Sequence, residues 1–223
     1  MSVGKIFVFE GIEGSGKSTL VKKLSESLPN NFHVVRELST PGITTSVVAP
    51  WVYAHDITKD AYSATMALHL LMLAREETLK TVILPLLEKG EHVLLDRFVI
   101  STLVYQGFYR AWRTRPLIRA FLTHFSRSIS VARTFYLEIP PEEAYRRVLE
   151  RARNGGDFDE NDKKPLSHYE ALYERYTEGL QGYNGIQENI IPKRLLGKIT
   201  ILDALLPIED KLAMVQEKIM KDL

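Results

Sequence analysis

Five short apolar runs alternate along the chain with segments in which apolar residues recur at helical spacing. Runs rich in β-branched and aromatic side chains are typical of buried strands, and strands that alternate with helices are typical of a parallel sheet. The pattern predicts an α/β fold, with a parallel five-stranded sheet and helices on both of its faces. The predicted strands are Lys5–Glu10, His33–Arg36, His92–Asp96, Thr134–Ile139 and Lys198–Asp203.

The longest helical pattern lies between the second and third predicted strands. It predicts one helix from Ala61 to Lys89, with a kink near Pro85 and a stop at Gly90. No linker, repeat or low-complexity tract interrupts the chain, so we expect a single domain over residues 1–223.

Two further helices follow the fourth predicted strand. Pro141 is placed as the first residue of a helix that continues through 142–153, because proline at that position loses no helical hydrogen bond. Another helix is predicted at about 166–180. Turn-forming and charged residues at 154–162 predict a mobile loop between these two helices.

The end of the first predicted strand carries the most specific motif. Residues 11–18 fit G-x-x-x-x-G-K-[ST] and lie between a strand and a helical pattern, which is typical of a P-loop NTPase-like fold. The glycines allow successive N–H groups to point at phosphates, Lys17 adds a positive charge, and Ser18 offers a hydroxyl to Mg²⁺. We predict that a nucleoside triphosphate binds to Gly11, Glu13, Gly14, Ser15, Gly16, Lys17, Ser18 and Thr19.

A second set of polar residues follows the third predicted strand. Asp96 ends an apolar run, the place from which a carboxylate reaches Mg²⁺ opposite the phosphate loop. Arg97, Ser101 and Tyr105 recur every four residues, so they are predicted to share one helical face. Such a face is either merely solvated or binds a second substrate, with an arginine for a phosphate, hydroxyls for a sugar and the amide of Gln106 for a base.

Two further arginines are candidates for the same site. Arg36 ends the second predicted strand and is placed to supply another phosphate contact. Arg75 lies among apolar residues of the long predicted helix, where a buried guanidinium needs a partner. That partner is either a base carbonyl or an acid in a salt bridge, namely Glu76, Glu77 or Asp96.

Composition narrows the class of protein. The formal net charge of +1 gives no overall field for a polyanion, so we interpret the arginines at 110–133 as solvated or subunit-facing. The absence of cysteine excludes disulfides and thiol-ligated metals. No secretory signal and no apolar stretch of membrane-spanning length is visible. We therefore expect a cytoplasmic protein without nucleic-acid or membrane partners.

The motifs, in this order, resemble those of the thymidylate kinases, a family of nucleoside monophosphate kinases. Residues 9–19 are similar to the family's phosphate loop, and residues 95–107 to its D-R-[YFH]-x-x-S-x-x-A-Y-Q segment. The resemblance covers nearly the whole chain. It implies that the chain transfers the γ-phosphoryl of ATP to dTMP with Mg²⁺, and that it forms a homodimer.

The resemblance also implies roles for individual residues. It implies that Arg97 and Arg36 hold the acceptor phosphate and that Arg75 holds the base. Glu13 would meet the 3′-hydroxyl, and Tyr105 would exclude a 2′-hydroxyl and so favour deoxyribose.

The family places its catalytic arginine either in the phosphate loop or in a lid. The phosphate loop here contains no arginine, so the resemblance implies the lid type. Arg151 and Arg153 are then the candidates, at the start of a short lid over about 151–165. The predicted catalytic residues are Lys17, Arg97, Arg151 and Arg153, and the predicted metal ligands are Ser18 and Asp96.

The sequence departs from the family pattern in two places. The family's R-E-P-G-G-T after the second strand keeps only Arg36 and Glu37 in register. Leu71 stands where the family usually has a phenylalanine that stacks on the pyrimidine. Base stacking on an aromatic ring is worth about 1–3 kcal/mol, so another ring, Phe98 or Tyr105, would have to replace it.

The predicted function is therefore thymidylate kinase, with two alternatives. One is a kinase of the same fold with another acceptor, such as dUMP, a modified pyrimidine nucleotide or a deoxynucleoside. The other is a regulatory ATP-binding switch protein, which the polar residues after Asp96 and the absence of an N-K-x-D motif disfavour.

Overall fold

The fold was determined as a computed structural model, which describes residues 3–36, 41–42, 44–48, 50–51, 61–107, 111–155, 163–181 and 191–223. Five strands form one sheet in the order β2-β3-β1-β4-β5, and every neighbouring pair is parallel. This confirms the predicted sheet. The strands are β1 Ile6–Glu10, β2 Phe32–Arg36, β3 His92–Asp96, β4 Val131–Glu138 and β5 Lys198–Asp203.

Burial along the strands follows their positions in the sheet. All five residues of the central strand β1 are buried, as expected where helices cover both faces. The edge strands expose apolar residues, with Val34 on β2 and Ile201 on β5 about half exposed. The sheet core therefore lies along the three inner strands β3, β1 and β4. The carboxyl ends of β1 and β3 carry the predicted site.

Helices surround the sheet, and the predicted helices after Pro141 and near residue 166 are both confirmed. In the described part of the chain, no helix is long and apolar enough to cross a lipid bilayer. The helices are α1 Lys17–Ser27, α2 Ala61–Thr78, α3 Leu84–Glu88, α4 Val99–Thr102, α5 Ala111–Ser128, α6 Pro141–Arg153, α7 Leu166–Gln181 and α8 Ile208–Asp222.

The long helix predicted from Ala61 to Lys89 is not uniform. Between α2 and α3 the chain passes through a wider π-helical segment, Leu79–Ile83. Pro85 has no N–H to donate to the carbonyl of Thr81, which accounts for an irregular turn at this point. The predicted stop is confirmed, since α3 ends at Glu88 and Gly90 has a φ of 80°.

The amino ends of the strands hold a buried ion pair far from the predicted site. Arg133 Nε donates to Asp222 Oδ2 at 2.7 Å, and Lys198 Nζ lies 2.7 Å from Oδ1. The side chains of Arg133 and Asp222 are 11% and 3% exposed. Arg133, expected on a basic surface, instead anchors the last helix to β4.

Several predictions concern residues outside the described part of the chain. These are most of the loop at 154–162, the corresponding part of the lid, and residues 37–40 of the segment that departs from the family pattern.

Candidate active site

The carboxyl ends of three neighbouring strands bring the predicted site residues together. Arg36 of β2 is in register with Asp96 of β3, and Asp96 is in register with Phe9 of β1. The phosphate loop follows β1 directly. Ligands of open parallel sheets bind at this edge, so the strand order itself places Arg36 and Asp96 beside the loop.

The phosphate loop is shaped by two glycines with left-handed backbone angles. Gly14 and Gly16 both have a φ of 80°. A Cβ atom at Gly14 would lie 2.3 Å from the carbonyl oxygen of Ala144, so the loop packs directly on α6. Gly16 caps α1, whose first residue is Lys17. The free N–H groups at this helix end are suited to bind phosphate oxygens.

Lys17, Ser18, Arg36 and Asp96 form one cluster beside the loop. The Lys17 ammonium bonds to Asp96 Oδ1, while Ser18 Oγ donates to Oδ2 at 3.1 Å. Arg36 Nε donates to the same Oδ2 at 3.2 Å, and Arg36 Nη2 to Ser18 Oγ at 3.1 Å. The Asp96 carboxylate, one of the two predicted metal ligands, is thus surrounded by the other predicted ligand, Ser18, and by two cations.

Burial and charge change the protonation of this cluster. Burial, helped by the Arg97 guanidinium, lowers the pKa of Lys17 to about 8, against the opposing pull of Asp96. Burial alone would raise the pKa of Asp96, but Lys17 and the two arginines outweigh it and hold that pKa below its ordinary value. Asp96 is therefore ionised at neutral pH, and Lys17 loses its proton more readily than an ordinary lysine.

Arg97 has an unusual backbone conformation. Its φ of 69° lies in the left-handed region, which costs roughly 1–2 kcal/mol for a residue with a Cβ. The N–H of Arg97 donates to Phe9 O at 3.0 Å, and the N–H of Phe98 donates to Glu10 Oε1 at 2.9 Å. Helix α4 begins only at Val99, so the predicted single helical face through 97, 101 and 105 is wrong at its first member.

The Arg97 side chain nevertheless meets the expected neighbours. Its Nη2 donates to Glu13 Oε1 at 2.8 Å, and its Cζ lies 5.4 Å from the centre of the Tyr105 ring. The Tyr105 hydroxyl donates to both Glu13 oxygens, at 2.7 and 2.8 Å. Burial alone would raise the pKa of Glu13, but Arg97 and Tyr105 hold it below its ordinary value. Glu13 is thus an ionised carboxylate that forms an ion pair with Arg97.

A hydrogen-bond network centred on Glu10 was not predicted from the sequence, in which this residue is only the last of the predicted strand Lys5–Glu10. Glu10 is fully buried, and its carboxylate accepts hydrogen bonds from Phe98 N, Ser101 N, Ser101 Oγ and the Tyr176 hydroxyl. Tyr176 lies on α7, 166 residues away along the chain. A carboxylate that closes a wholly apolar strand must have buried partners, and this signal could have identified Glu10.

The predicted base-binding residues line a small recess between α2, β3 and the start of α4. Arg75, 5% exposed, donates through Nη2 to Thr102 Oγ1 at 2.7 Å, and its Cζ lies 5.0 Å from the centre of the Phe98 ring. The side chain of Gln106 is outside the described part of the chain. The recess is lined by Leu71, Ala74, Arg75, Thr78, Ile83, Leu95 and Phe98.

The two predicted lid arginines lie in the last turn of α6. Arg151 and Arg153 are both exposed. The same helix carries Ala144, which contacts Gly14 of the phosphate loop. Helix α6 therefore runs from the loop to the start of the predicted lid.

The comparisons with known proteins agree with this arrangement. The family model described as thymidylate kinase matches residues 9–191. The chain is 31% identical over 187 residues to a thymidylate kinase of Chlorobium luteolum, covering 81% of this chain and 86% of the relative. It is 34% identical over 168 residues to a thymidylate kinase of Dinoroseobacter shibae, covering 70% and 75% of the two chains.

A thymidylate kinase of Thermoanaerobacter sp. is 32% identical over 191 residues, which cover 83% of this chain and 91% of the relative. The region matched by the family model contains the phosphate loop, the Asp96–Tyr105 segment and the arginines of α6. The site geometry and these matches lead to one conclusion: the chain belongs to the thymidylate kinase family.

Proposed function

We propose that this protein transfers the γ-phosphoryl group of ATP to dTMP, giving dTDP and ADP. The observation that carries the proposal is that two cationic side chains lie at one sheet edge, each suited to bind a phosphate. Lys17 with the phosphate loop forms the proposed donor centre, and Arg97 with Glu13 and Tyr105 forms the proposed acceptor centre. Similar proteins are named thymidylate kinases.

The donor centre fits ATP with Mg²⁺. Magnesium prefers oxygen ligands and is commonly held by one or two carboxylates together with substrate phosphates. Ser18 Oγ and Asp96 Oδ2 are already 3.1 Å apart, so both oxygens can face one ion. Ser18 and Asp96 would hold the ion, which would supply positive charge beside the triphosphate. Lys17 would leave Asp96 for the phosphates.

The acceptor centre fits a deoxynucleoside monophosphate. The Glu13 carboxylate lies on Arg97, where we place the acceptor phosphate, so one anion would replace another on the guanidinium. Glu13 would then accept from the 3′-hydroxyl, and the Tyr105 ring would stand beside the sugar. Arg36 would be the second cation that contacts this phosphate. Arg75 would contact the base from the recess lined by Leu71 and Phe98.

Phosphoryl transfer needs positioning and charge stabilisation more than covalent chemistry by the protein. Lys17, Arg97 and one lid arginine, Arg151 or Arg153, would surround the transferring group. An arginine in this position is worth about 10³–10⁵ in rate. A closed lid over about 151–165 would also exclude the water that otherwise hydrolyses ATP.

The recess itself supports a second candidate acceptor. Leu71 offers no ring to stack on a pyrimidine, so dUMP or a modified pyrimidine nucleotide is the alternative. Homodimerisation and a cytoplasmic location remain predictions.

The test is ATP consumption with Mg²⁺ against dTMP, dUMP, dCMP, dAMP, dGMP and UMP, with each diphosphate product identified by chromatography. We expect the highest kcat/KM with dTMP. A preference for another monophosphate would replace the acceptor but keep the mechanism. ATP hydrolysis without transfer to any acceptor would overturn the proposed function.

A further inference from the structure

We propose that Glu10 is the positioning residue that sets Arg97 for the acceptor phosphate, and that Tyr176 extends this support to the helix after the lid. The proposal rests on the proposed function, since it takes Arg97 as the acceptor-phosphate ligand. Glu10 itself is fully buried and does not touch the substrate in this scheme.

One carboxylate oxygen of Glu10 holds the backbone around Arg97. Oε1 accepts from the N–H of Phe98 at 2.9 Å and from the N–H of Ser101 at 3.2 Å. The N–H of Arg97 donates to the carbonyl of Phe9 at 3.0 Å. Consecutive residues of β1 therefore fix the N–H groups on both sides of the Arg97 Cα, and this pair of bonds stabilises its left-handed φ of 69°.

The other carboxylate oxygen holds the side chains on which the guanidinium lies. Oε2 accepts from Ser101 Oγ and, at 3.0 Å, from the Tyr176 hydroxyl. Arg97 Nη1 donates to those same two groups, at 3.3 and 3.2 Å. Each oxygen of Glu10 thus supports a different part of Arg97, one its backbone and the other its guanidinium.

If Glu10 positions Arg97, its loss should affect one of the two substrates, whereas a general contribution to folding would affect both. In the described part of the chain, Glu10 makes no hydrogen bond to the Lys17 cluster, and its charge is the smallest of the influences that set the pKa of Lys17. Its loss should therefore affect the acceptor centre much more than the donor centre. Tyr176 belongs to α7, which begins at Leu166, just beyond the predicted lid. The Tyr176 hydroxyl is therefore a direct link between that helix and Arg97.

The experiment measures KM for dTMP, KM for ATP and the melting temperature of Glu10→Gln. The amide keeps the shape of the side chain but turns an NH₂ group toward buried donors, which leaves at least one N–H or O–H unpaired. We expect KM for dTMP to rise roughly tenfold or more, with KM for ATP within about twofold of wild type. In an Arg97→Ala background, Glu10→Gln should add less than about twofold, because both changes act on one contact.

Tyr176→Phe is the second variant, and it decides the matter if Glu10→Gln does not fold. It removes one of the two hydroxyls that join Glu10 to the guanidinium and leaves that of Ser101, so we expect a smaller rise in KM for dTMP with KM for ATP unchanged. Asp222→Asn is the matched control, a buried carboxylate at the opposite end of the sheet. It should lower the melting temperature and change neither KM.

Three results would overturn the proposal. One is a fall in melting temperature with both KM values unchanged, and another is an equal rise in both KM values. The third is that the effects of Glu10→Gln and Arg97→Ala are additive. A wild-type protein that fails to phosphorylate dTMP would overturn the proposed function instead, and that result is obtained before any variant is made.

Discussion

At the scale of single residues, the two central cations of the site are each paired with an acid of the same site. Lys17 bonds to Asp96, and Arg97 bonds to Glu13. Buried charges of this kind are tolerated only when they are paired and hydrogen-bonded. Substrate phosphates would therefore enter by exchange with carboxylates that the protein already supplies. The charges of Lys17 and Arg97 are thus compensated before any ligand binds.

The lowered pKa of Lys17 predicts that activity depends on pH. That pKa, about 8, lies below the ordinary 10.5, so the free enzyme loses the charge of Lys17 as the pH rises through 8. We expect kcat/KM for ATP to fall roughly tenfold per pH unit above 8, and kcat to fall less, since bound phosphates favour the charged lysine. A pH profile with saturating dTMP measures this.

Stability should change in the opposite direction over the same range. Between pH 8 and 10.5 the unfolded chain keeps a proton on Lys17 that the folded chain has lost, so this lysine adds stability as the pH rises. Lost activity near pH 9 would then not reflect unfolding. Lys17→Arg keeps its positive charge throughout this pH range, so we expect this variant to be a slower enzyme without the alkaline limb. If the limb persists in that variant, another group causes it.

Leu71 tests the base recess at the same scale. Leu71→Phe places a ring in the recess beside Arg75 and Phe98. Stacking is worth about 1–3 kcal/mol, so we expect KM for dTMP to fall by about fivefold or more. Leu73→Phe, on the half-exposed side of the same helix, is the control and should leave KM unchanged. A rise in KM for Leu71→Phe alone would mean that the base does not bind here.

At the scale of elements, the contact between the phosphate loop and α6 decides how the two glycines respond to substitution. Both Gly14→Ala and Gly16→Ala introduce a side chain at a φ of 80°, with a similar backbone penalty. Only at Gly14 would the new Cβ meet backbone, 2.3 Å from Ala144 O, whereas nothing lies within 4 Å at Gly16. We expect Gly14→Ala to be less stable by about a further 1–3 kcal/mol in urea denaturation. Equal losses would show that the loop moves aside freely.

Helix α6 also carries the two predicted lid arginines, Arg151 and Arg153. We expect Arg151→Ala or Arg153→Ala to lower kcat by about 10³-fold or more, because one of them would stabilise the transferring group. Arg146→Ala is the control on the same helix, an exposed arginine paired with Glu143 and Glu150. Wild-type kcat in both lid variants would show that this chain is not of the lid-arginine type.

The elements were largely predictable from sequence, and the contacts between them were not. The apolar runs predicted all five strands because each strand is short, apolar and bounded by polar residues. The motif spacing placed Lys17, Ser18 and Asp96 at one edge. The Glu10–Tyr176 bond joins residues 166 positions apart, and the left-handed Arg97 breaks the helical spacing on which the prediction depended. Both depend on tertiary packing, which a local pattern does not contain.

At the scale of the whole molecule, the last helix is held to the sheet by the buried pair Arg133–Asp222. Asp222→Asn leaves the Arg133 guanidinium without its charge partner, so we expect a loss of about 3 kcal/mol in the free energy of unfolding. Glu217→Gln, which removes an exposed pair with Lys221 on the same helix, is the control and should leave the urea midpoint unchanged. Equal midpoints for both variants would show that the buried pair adds no stability.

The hold of β1 on Arg97 has a geometric consequence for the reaction. Phe9 and Glu10 fix Arg97, the proposed ligand of the acceptor phosphate, and the very next residue, Gly11, begins the loop that we propose binds ATP. The end of β1 would thus set the positions of both substrates. Because both binding groups are attached to the same strand end, the distance between the ATP and the acceptor phosphate would stay constant if the surrounding helices moved. A misplacement of 1 Å between reacting groups can cost about 10²-fold in rate.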